Sequence, residues 1–160
     1  MTASIRRRGP WLEAATALAL VATFAALALA QGQPQLELLA AGSVDQAEKA
    51  LAQKVAHETL GAWKAGRFAP LGAEYTDQMK AAMPPGTQEQ AYLQMKALFG
   101  DYQSMSFAEA HASRAGPRMV VYRFRGTFSA STDRPEIRVV IDAAGKVAGL
   151  WVRPWLAPLQ

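Results

Sequence analysis

The spacing of apolar residues changes along the chain, from a helical period in its first part to a strand period in its second. Leu51 and Trp63 belong to a stripe of apolar side chains repeated at four-residue steps, the pattern of a helix with one buried side. Ser43 with Gln46, and Asp45 with Glu48, both have the spacing of a capping box. The pattern predicts a first helix that begins near one of these two positions and ends near Gly66.

Two further helices are predicted before the period changes. Residues 71–83 carry apolar side chains four apart, and the Pro-Pro-Gly of residues 84–86 ends that stretch. Thr87 and Gln90 again have the capping-box spacing. We therefore expect a third helix from there to Gly100.

Alternation of apolar and polar residues then predicts strands. The four strands are expected over residues 105–111, 120–128, 136–141 and 146–153. One side of the first strand is expected to carry Met105, Phe107, Glu109 and His111. In the second strand, Arg123 and Arg125 point away from the aromatic side. Helices followed by a meander of strands predict an α+β domain, with the helices packed on one face of an antiparallel sheet of about four strands.

The end of the chain carries a turn and an apolar run. Residues 142–145, Asp-Ala-Ala-Gly, predict a hairpin loop. Residues 147–152 are apolar except for Gly149, so we expect a strand that is covered on both faces or central in the sheet, with Trp151 as a packing residue. The apolar segment 155–159 must then fold back onto the domain or meet a partner.

The N-terminal residues have the pattern of an export signal. Three arginines at residues 6–8 precede an apolar run over residues 12–30 that ends on Ala-Leu-Ala. We expect a signal peptide over residues 1–30, cleaved before Gln31, and hence a periplasmic or extracellular protein. The alternative is an uncleaved anchor in the inner membrane, in which case residues 12–30 are the part that contacts lipid.

Composition bounds what remains. With 51% apolar and 19% charged residues the chain is globular, and we expect a polar linker over residues 31–43 and a single domain over residues 44–160. Removal of residues 1–30 lowers the net charge from +4 to +2, and no dense Lys/Arg cluster remains, which argues against a nucleic-acid partner. The absence of cysteine excludes disulfides, thiolate catalysis and cysteine-ligated zinc.

Several segments together resemble the nuclear transport factor 2-like (cystatin-like) superfamily. They are WKAGRF at residues 63–68, LFGDY at residues 98–102, VVID at residues 139–142, GKVAGL at residues 145–150, and Pro154. More narrowly, residues 45–154 look like a small bacterial domain family of unknown function whose members occur alone after a signal peptide or joined to α/β-hydrolase domains. The resemblance implies helices in the concave side of a curved sheet, and it supplies no catalytic residues to carry over.

Known catalytic signatures are incomplete in this chain. His57-Glu58 begins like a zinc-protease helix, but Gly61 stands where the second histidine is needed, so no metal site is expected. Glu109 and His111 are the remaining candidates for catalysis, because residues two apart on a strand face the same way and a carboxylate can orient an imidazole as a general base. Asp101 is a third candidate if folding brings it close. The alternative is a surface Glu/His pair or a histidine satisfied in the core.

Basic and aromatic side chains give further candidates for binding. Arg123, Arg125 and Arg138 form either a basic patch for an anionic ligand or acidic partner, or a solvated outer face. Aromatic residues could line a ligand pocket, although a domain without disulfides needs most of them in its core. These ligand-binding candidates are Trp63, Tyr75, Phe99, Tyr102, Tyr122 and Trp151.

Three functions are therefore expected. The first is an exported, non-catalytic binding or accessory module, without a cofactor, that holds a small apolar ligand or a protein partner. The second is a small pocket hydrolase or isomerase that uses Glu109 and His111. The third is a dimerising accessory to a hydrolase encoded elsewhere, which is implied only by the family resemblance.

Overall fold

The computed structural model describes residues 35–156 of the chain. The signal peptide or anchor expected over residues 1–30 lies outside this range, as do residues 157–160. Among the described residues, no helix is long and apolar enough to span a membrane.

The α-helices are α1 (Gln46–Lys64), α2 (Asp77–Ala82) and α3 (Pro85–Phe99). Of the two predicted capping boxes, the one at Asp45 marks the start of α1, because its carboxylate accepts hydrogen bonds from the backbone N–H groups of Ala47 and Glu48 at 2.8 and 2.9 Å. Ser43 ends a short 3-10 helix before it. Two otherwise unpaired N–H groups of the first turn are thereby satisfied.

The other two helices differ from the prediction at their N-terminal ends. Residues 71–75 do not join α2, because Tyr75 forms a β-bridge with Val147 and the Thr76 hydroxyl caps the helix after it. The third helix begins at Pro85, so the capping box predicted at Thr87 is wrong. Proline is favoured at the first helical position, since its fixed φ suits the helix and its missing N–H is not needed there.

The strands are β1 (Leu36–Leu38), β2 (Tyr102–Ser113), β3 (Met119–Phe128), β4 (Glu136–Asp142) and β5 (Val147–Arg153). They form one curved antiparallel sheet in the order β1-β2-β3-β4-β5. The predicted α+β class is confirmed, with the helices packed on the concave face. The sheet has five strands, because the segment expected to be a linker, residues 31–43, supplies β1 beside β2.

The last strand lies at an edge of the sheet. The predicted hairpin before it is present, with Gly145 at φ 72° and the Asp142 carboxylate accepting hydrogen bonds from the N–H groups of Ala144 and Lys146. Among the strands of residues 35–156, β5 pairs with β4 alone, and its other edge has only the single bridge from Val147 to Tyr75, so the prediction of a central or doubly covered strand is wrong. Trp151 is 42% exposed. An apolar run does not by itself distinguish a central strand from an edge strand.

The core lies between the helices and the concave face. Its fully buried members include Leu60 of α1, Tyr122 and Phe124 of β3, and Ile137 and Val139 of β4. Because side chains alternate along a strand, the residues between them point to the opposite side of the sheet. This second side is called the outer face below.

Candidate interaction surface

Glu109 and His111 lie on the outer face, away from the core. The register of β2 against β3 shifts between Phe107 and Glu109, so Phe107 pairs with Phe124 and Glu109 pairs with Arg123. The extra residue reverses the alternation, as β-bulges do. The expectation that Glu109 and His111 share a side with Phe107 is therefore wrong. His111 Nε2 lies 3.0 Å from Glu109 Oε1, a hydrogen bond that the carboxylate accepts.

Arg123 is the centre of the outer face and is fully buried. Its Nη1 donates to Glu109 Oε1, and its Nη2 donates to Glu136 Oε2 at 2.9 Å. Glu136 is also fully buried and lies on β4. Removal of one member of a buried ion pair is costly, because the other member stays in the interior with fewer partners.

Glu136 receives two further guanidinium groups. Arg138 Nε donates to Glu136 Oε1 at 2.6 Å, and Arg153 Nε lies 3.3 Å from Oε2. We call the set of Glu109, Arg123, Arg125, Glu136, Arg138 and Arg153 the arginine cluster. It contains four guanidinium groups and two carboxylates. Two of its buried nitrogens, Arg123 Nε and Arg138 Nη2, have no hydrogen-bond partner in the described part of the chain.

The chain after Pro154 folds back over this cluster. The Leu156 carbonyl accepts a hydrogen bond of 2.6 Å from Arg123 Nη2. The guanidinium carbons of Arg123 and Arg125 lie 4.0 and 3.4 Å from the centre of the Trp155 ring. Side chains two apart on a strand are separated by about 6.8 Å, which is the space that an aromatic ring inserted between two guanidinium groups needs. The segment 155–159 was expected either to fold back onto the domain or to meet a partner. Trp155 and Leu156 fold back onto the domain.

The ionic contacts shift the pKa values of the two central groups. Partial burial opposes the charge of Glu109, but the hydrogen bonds from His111 and Arg123 outweigh it and hold the pKa below its ordinary value of 4.5. Burial likewise opposes the charge of Arg123, but Glu136 and Glu109 outweigh it and raise its pKa. Both groups are therefore charged at neutral pH.

Trp151 covers the β5 edge of the outer face. It pairs across the sheet with Arg138. Its indole ring lies over Gly149, where an added Cβ would overlap the ring. Glycine is thus needed two residues before the tryptophan so that the ring can lie flat along the strand.

The other catalytic candidate, Asp101, belongs to a different cluster. It accepts a hydrogen bond of 2.6 Å from the Tyr92 hydroxyl and lies 3.1 Å from Lys96 Nζ. The Tyr92 hydrogen bond is the main reason that the Asp101 pKa is lowered. Asp101 therefore ties α3 to the start of β2 and has no contact with Glu109 or His111 among the hydrogen bonds described here.

The aromatic residues expected to line a pocket fill the core, except for Trp151. Those buried are Trp63, Tyr75, Phe99, Tyr102 and Tyr122. Burial raises the pKa of Tyr75 to about 12. The space that they leave beside Trp63 and Tyr75, under Met79 and Met83, has a volume of about 10 Å³. A cavity of that size holds about one water molecule.

Sequence reasoning missed three members of this surface. The sequence indicated only a strand position for Glu136 and a strand end for Arg153. It indicated only an apolar tail for Trp155. The available signal was the even spacing of Glu136 and Arg138 on one strand and of Arg123 and Arg125 on the strand before it, which places opposite charges side by side once the two strands pair.

In residues 35–156 there is no group of three or more His, Asp and Glu side chains that could hold a metal ion. Comparisons of the chain with protein-family models, with curated proteins and with solved structures gave no match.

Proposed function

We propose that the chain is an exported, non-catalytic module that binds a protein partner through the outer face of its sheet. The observation that carries the proposal is the composition of that face. Arginine and tryptophan are the residues most enriched among the energetically dominant contacts of protein interfaces, and Lys, Glu and Asp are depleted there. The outer face presents Arg125, Arg153, Trp151 and Trp155 at its surface.

The distribution of basic residues supports the same proposal. Five of the six lysines lie in α1, α2 and α3, whereas within residues 35–156 no helix contains an arginine and no strand contains a lysine. Arginine is less strongly hydrated than lysine and stacks on aromatic rings, so it is better suited to a surface that becomes desolvated on binding. The helical side has the Lys/Glu surface of a solvated face.

The small apolar ligand has less support than the protein partner. Ligand pockets in proteins have volumes of about 300 Å³ or more, whereas the space under α2 is about 10 Å³. A second depression is lined by four residues of α1 alone, Ala50, Gln53, Lys54 and His57, without an opposing wall in residues 35–156.

The hydrolase or isomerase alternative has less support as well. A general base needs a free carboxylate or imidazole within reach of a substrate proton and a pKa near the working pH. Glu109 is bonded to both His111 and Arg123, its pKa is lowered, and it lies on the outer face rather than in an enclosed cavity.

Site-specific crosslinking tests the proposal. A photoreactive benzophenone amino acid replaces Trp151 in the full chain, which is expressed in its own organism. The matched control position is Leu93 of α3, an exposed apolar residue on the helical side. We expect a discrete protein adduct from position 151 and none from position 93. Equal adducts from both positions, or none from either, would contradict the proposal. Sequencing of the N-terminus should give Gln31 as the first residue of the exported form.

A further inference from the structure

The arginine cluster contains more positive than negative charge. Four guanidinium groups face two carboxylates, and Glu136 alone is shared by Arg123, Arg138 and Arg153. A carboxylate offers about four lone-pair positions, so it cannot satisfy three guanidinium groups that carry five N–H donors each. Guanidinium donors are therefore left over on this face.

The unsatisfied donors lie beside surface that a partner can reach. Arg125 is only partly buried, and in residues 35–156 it has a ring contact with Trp155 but no hydrogen bond to a carboxylate. Across the sheet it neighbours Glu136, which in turn neighbours Arg153. Arg138 lies two residues after Glu136 on β4, and its Nη2 has no hydrogen-bond partner in residues 35–156. The exposed Trp151 pairs with Arg138 across the sheet. A cationic row and an exposed indole ring are thus adjacent.

We propose that this surface binds an acidic segment of the protein partner, with a partner carboxylate paired to Arg125 and apolar partner side chains packed on Trp151. The inference rests on the proposed function and names the chemistry of the partner. Charge complementarity carries it, since carboxylate and guanidinium groups form two parallel hydrogen bonds, the geometry for which arginine is favoured over lysine.

The described residues of the chain's own tail, Trp155 and Leu156, supply no negative charge to the arginine cluster. Trp155 contributes a neutral ring and Leu156 a neutral carbonyl group, which order Arg123 and Arg125 but do not neutralise them. The tail holds the two guanidinium groups in place, and preorganisation of this kind lowers the entropy lost when a partner binds.

A peptide pair tests the chemistry directly. The probe is an acetylated and amidated Glu-Leu-Glu-Leu-Glu peptide with a fluorescent label, the control peptide carries Gln in place of each Glu, and binding to the purified exported chain is followed by fluorescence anisotropy. We expect the acidic peptide to bind at least about tenfold more tightly than the amide peptide, because its hydrogen bonds are charge-assisted. Its affinity should fall as salt is raised.

Variants locate the site. Arg125→Ala should weaken binding of the acidic peptide about tenfold, and Arg125→Lys, which keeps the charge and removes the planar fork, should also weaken it. Lys54→Ala on α1 removes the same charge from the helical side and should have no effect. Retention of the unfolding temperature in Arg125→Lys separates a binding defect from a folding defect.

Failure of this inference differs from failure of the proposed function. If both peptides bind equally, or if Lys54→Ala and Arg125→Ala weaken binding equally, the acidic-segment proposal is overturned. If the crosslinked adduct at position 151 persists unchanged in Arg125→Ala, the outer face still binds a protein partner. The proposal that this partner binds through an acidic segment is then overturned. An adduct of twice the chain's mass identifies a second copy as the occupant and likewise overturns the acidic segment.

Discussion

Phe124 and Arg123 are neighbours on β3, both fully buried, yet they lie on opposite faces of the same sheet. Phe124 packs into an apolar core where α1 covers β2 and β4, and its contacts are non-directional. Arg123 is buried beneath a tryptophan and a backbone carbonyl of the tail, and its guanidinium group is held by directed hydrogen bonds and a ring contact. Equal burial is achieved by different forces on the two faces.

The difference predicts how each face responds to change. An apolar core loses more stability as the volume removed grows, because contacts are lost and a cavity is left. Two charged members of an ionic cluster are coupled, so removal of both costs less than the sum of the separate losses. The apolar core is therefore specified mainly by the shapes of its side chains, whereas the stability of the outer face depends mainly on charge.

The largest effect is expected for Arg123→Met. Removing this guanidinium takes away its hydrogen bonds to Glu109 and Glu136. Glu136 keeps Arg138 and Arg153 but loses a fully buried partner, so the free energy of unfolding should fall by about 3–5 kcal/mol in urea denaturation. Phe124→Ala, the matched change on the helical side, should cost a similar amount, about 3–5 kcal/mol.

The double variant Arg123→Met/Glu136→Leu separates the two faces. Glu136 also pairs with Arg138 and Arg153, so Glu136→Leu leaves those two arginines without this carboxylate. Both single changes nevertheless break the same ion pair, so the loss in the double variant should be smaller than the sum of the single losses by about 1–3 kcal/mol. Single losses that simply add would show that Arg123 and Glu136 act independently, which contradicts the comparison.

Glu109→Gln is the next largest change and has a defined pH window. The pKa of Glu109 is lower in the folded chain than its ordinary 4.5, so its charge adds stability above pH 4.5, and that stability is lost as the pH falls through the lowered value. At pH 7 the variant should be less stable by about 1–3 kcal/mol. The difference between wild type and variant should shrink below pH 4.5, and a difference that stays constant from pH 7 to pH 3 would contradict the ionic account.

The sequence predicted the helical side better than the outer face. The start of α1 lies at one of the two capping-box positions, Ser43 and Asp45, that the sequence offered. The side of β3 that carries Tyr122 and Phe124 follows from alternation. These are local patterns, in which each residue's neighbours along the chain decide its environment.

The outer face depends on relations that are not local. The bulge between Phe107 and Glu109 has no glycine or proline to mark it, so the reversal of Glu109 and His111 could not be predicted. The pairing of Arg123 with Glu136 depends on the register of two strands and a long loop between them. The docking of Trp155 depends on the direction of the chain after Pro154, which no periodicity describes.

Trp155→Ala should have a moderate effect that is confined to the outer face. It removes the ring from Arg123 and Arg125, and the free energy of unfolding should fall by about 1–2 kcal/mol. Arg123 also loses the order that the Leu156 carbonyl gives it, so affinity for the acidic peptide should fall as well. The matched control is Leu98→Ala on α3, an exposed residue whose loss should change stability by less than about 0.5 kcal/mol. Equal losses in the two variants would mean that the tail is not part of the folded outer face.

The smallest effect is expected at the β5 edge, where the outer face meets solvent. A methyl group at Gly149 overlaps the Trp151 ring, so Gly149→Ala must turn the indole away from the strand, at a cost of about 1 kcal/mol because an exposed ring has room to move. The three atoms nearest to that position all belong to the ring, so the same substitution in a Trp151→Ala background should cost little beyond the tryptophan loss. Measured as a double-mutant cycle by thermal unfolding, the coupling should therefore be about as large as the single cost. If Gly149→Ala still lowers the free energy of unfolding after Trp151 is removed, the backbone of β5 and not the ring requires the glycine. The flat position of the indole ring would then follow from the strand rather than from the glycine.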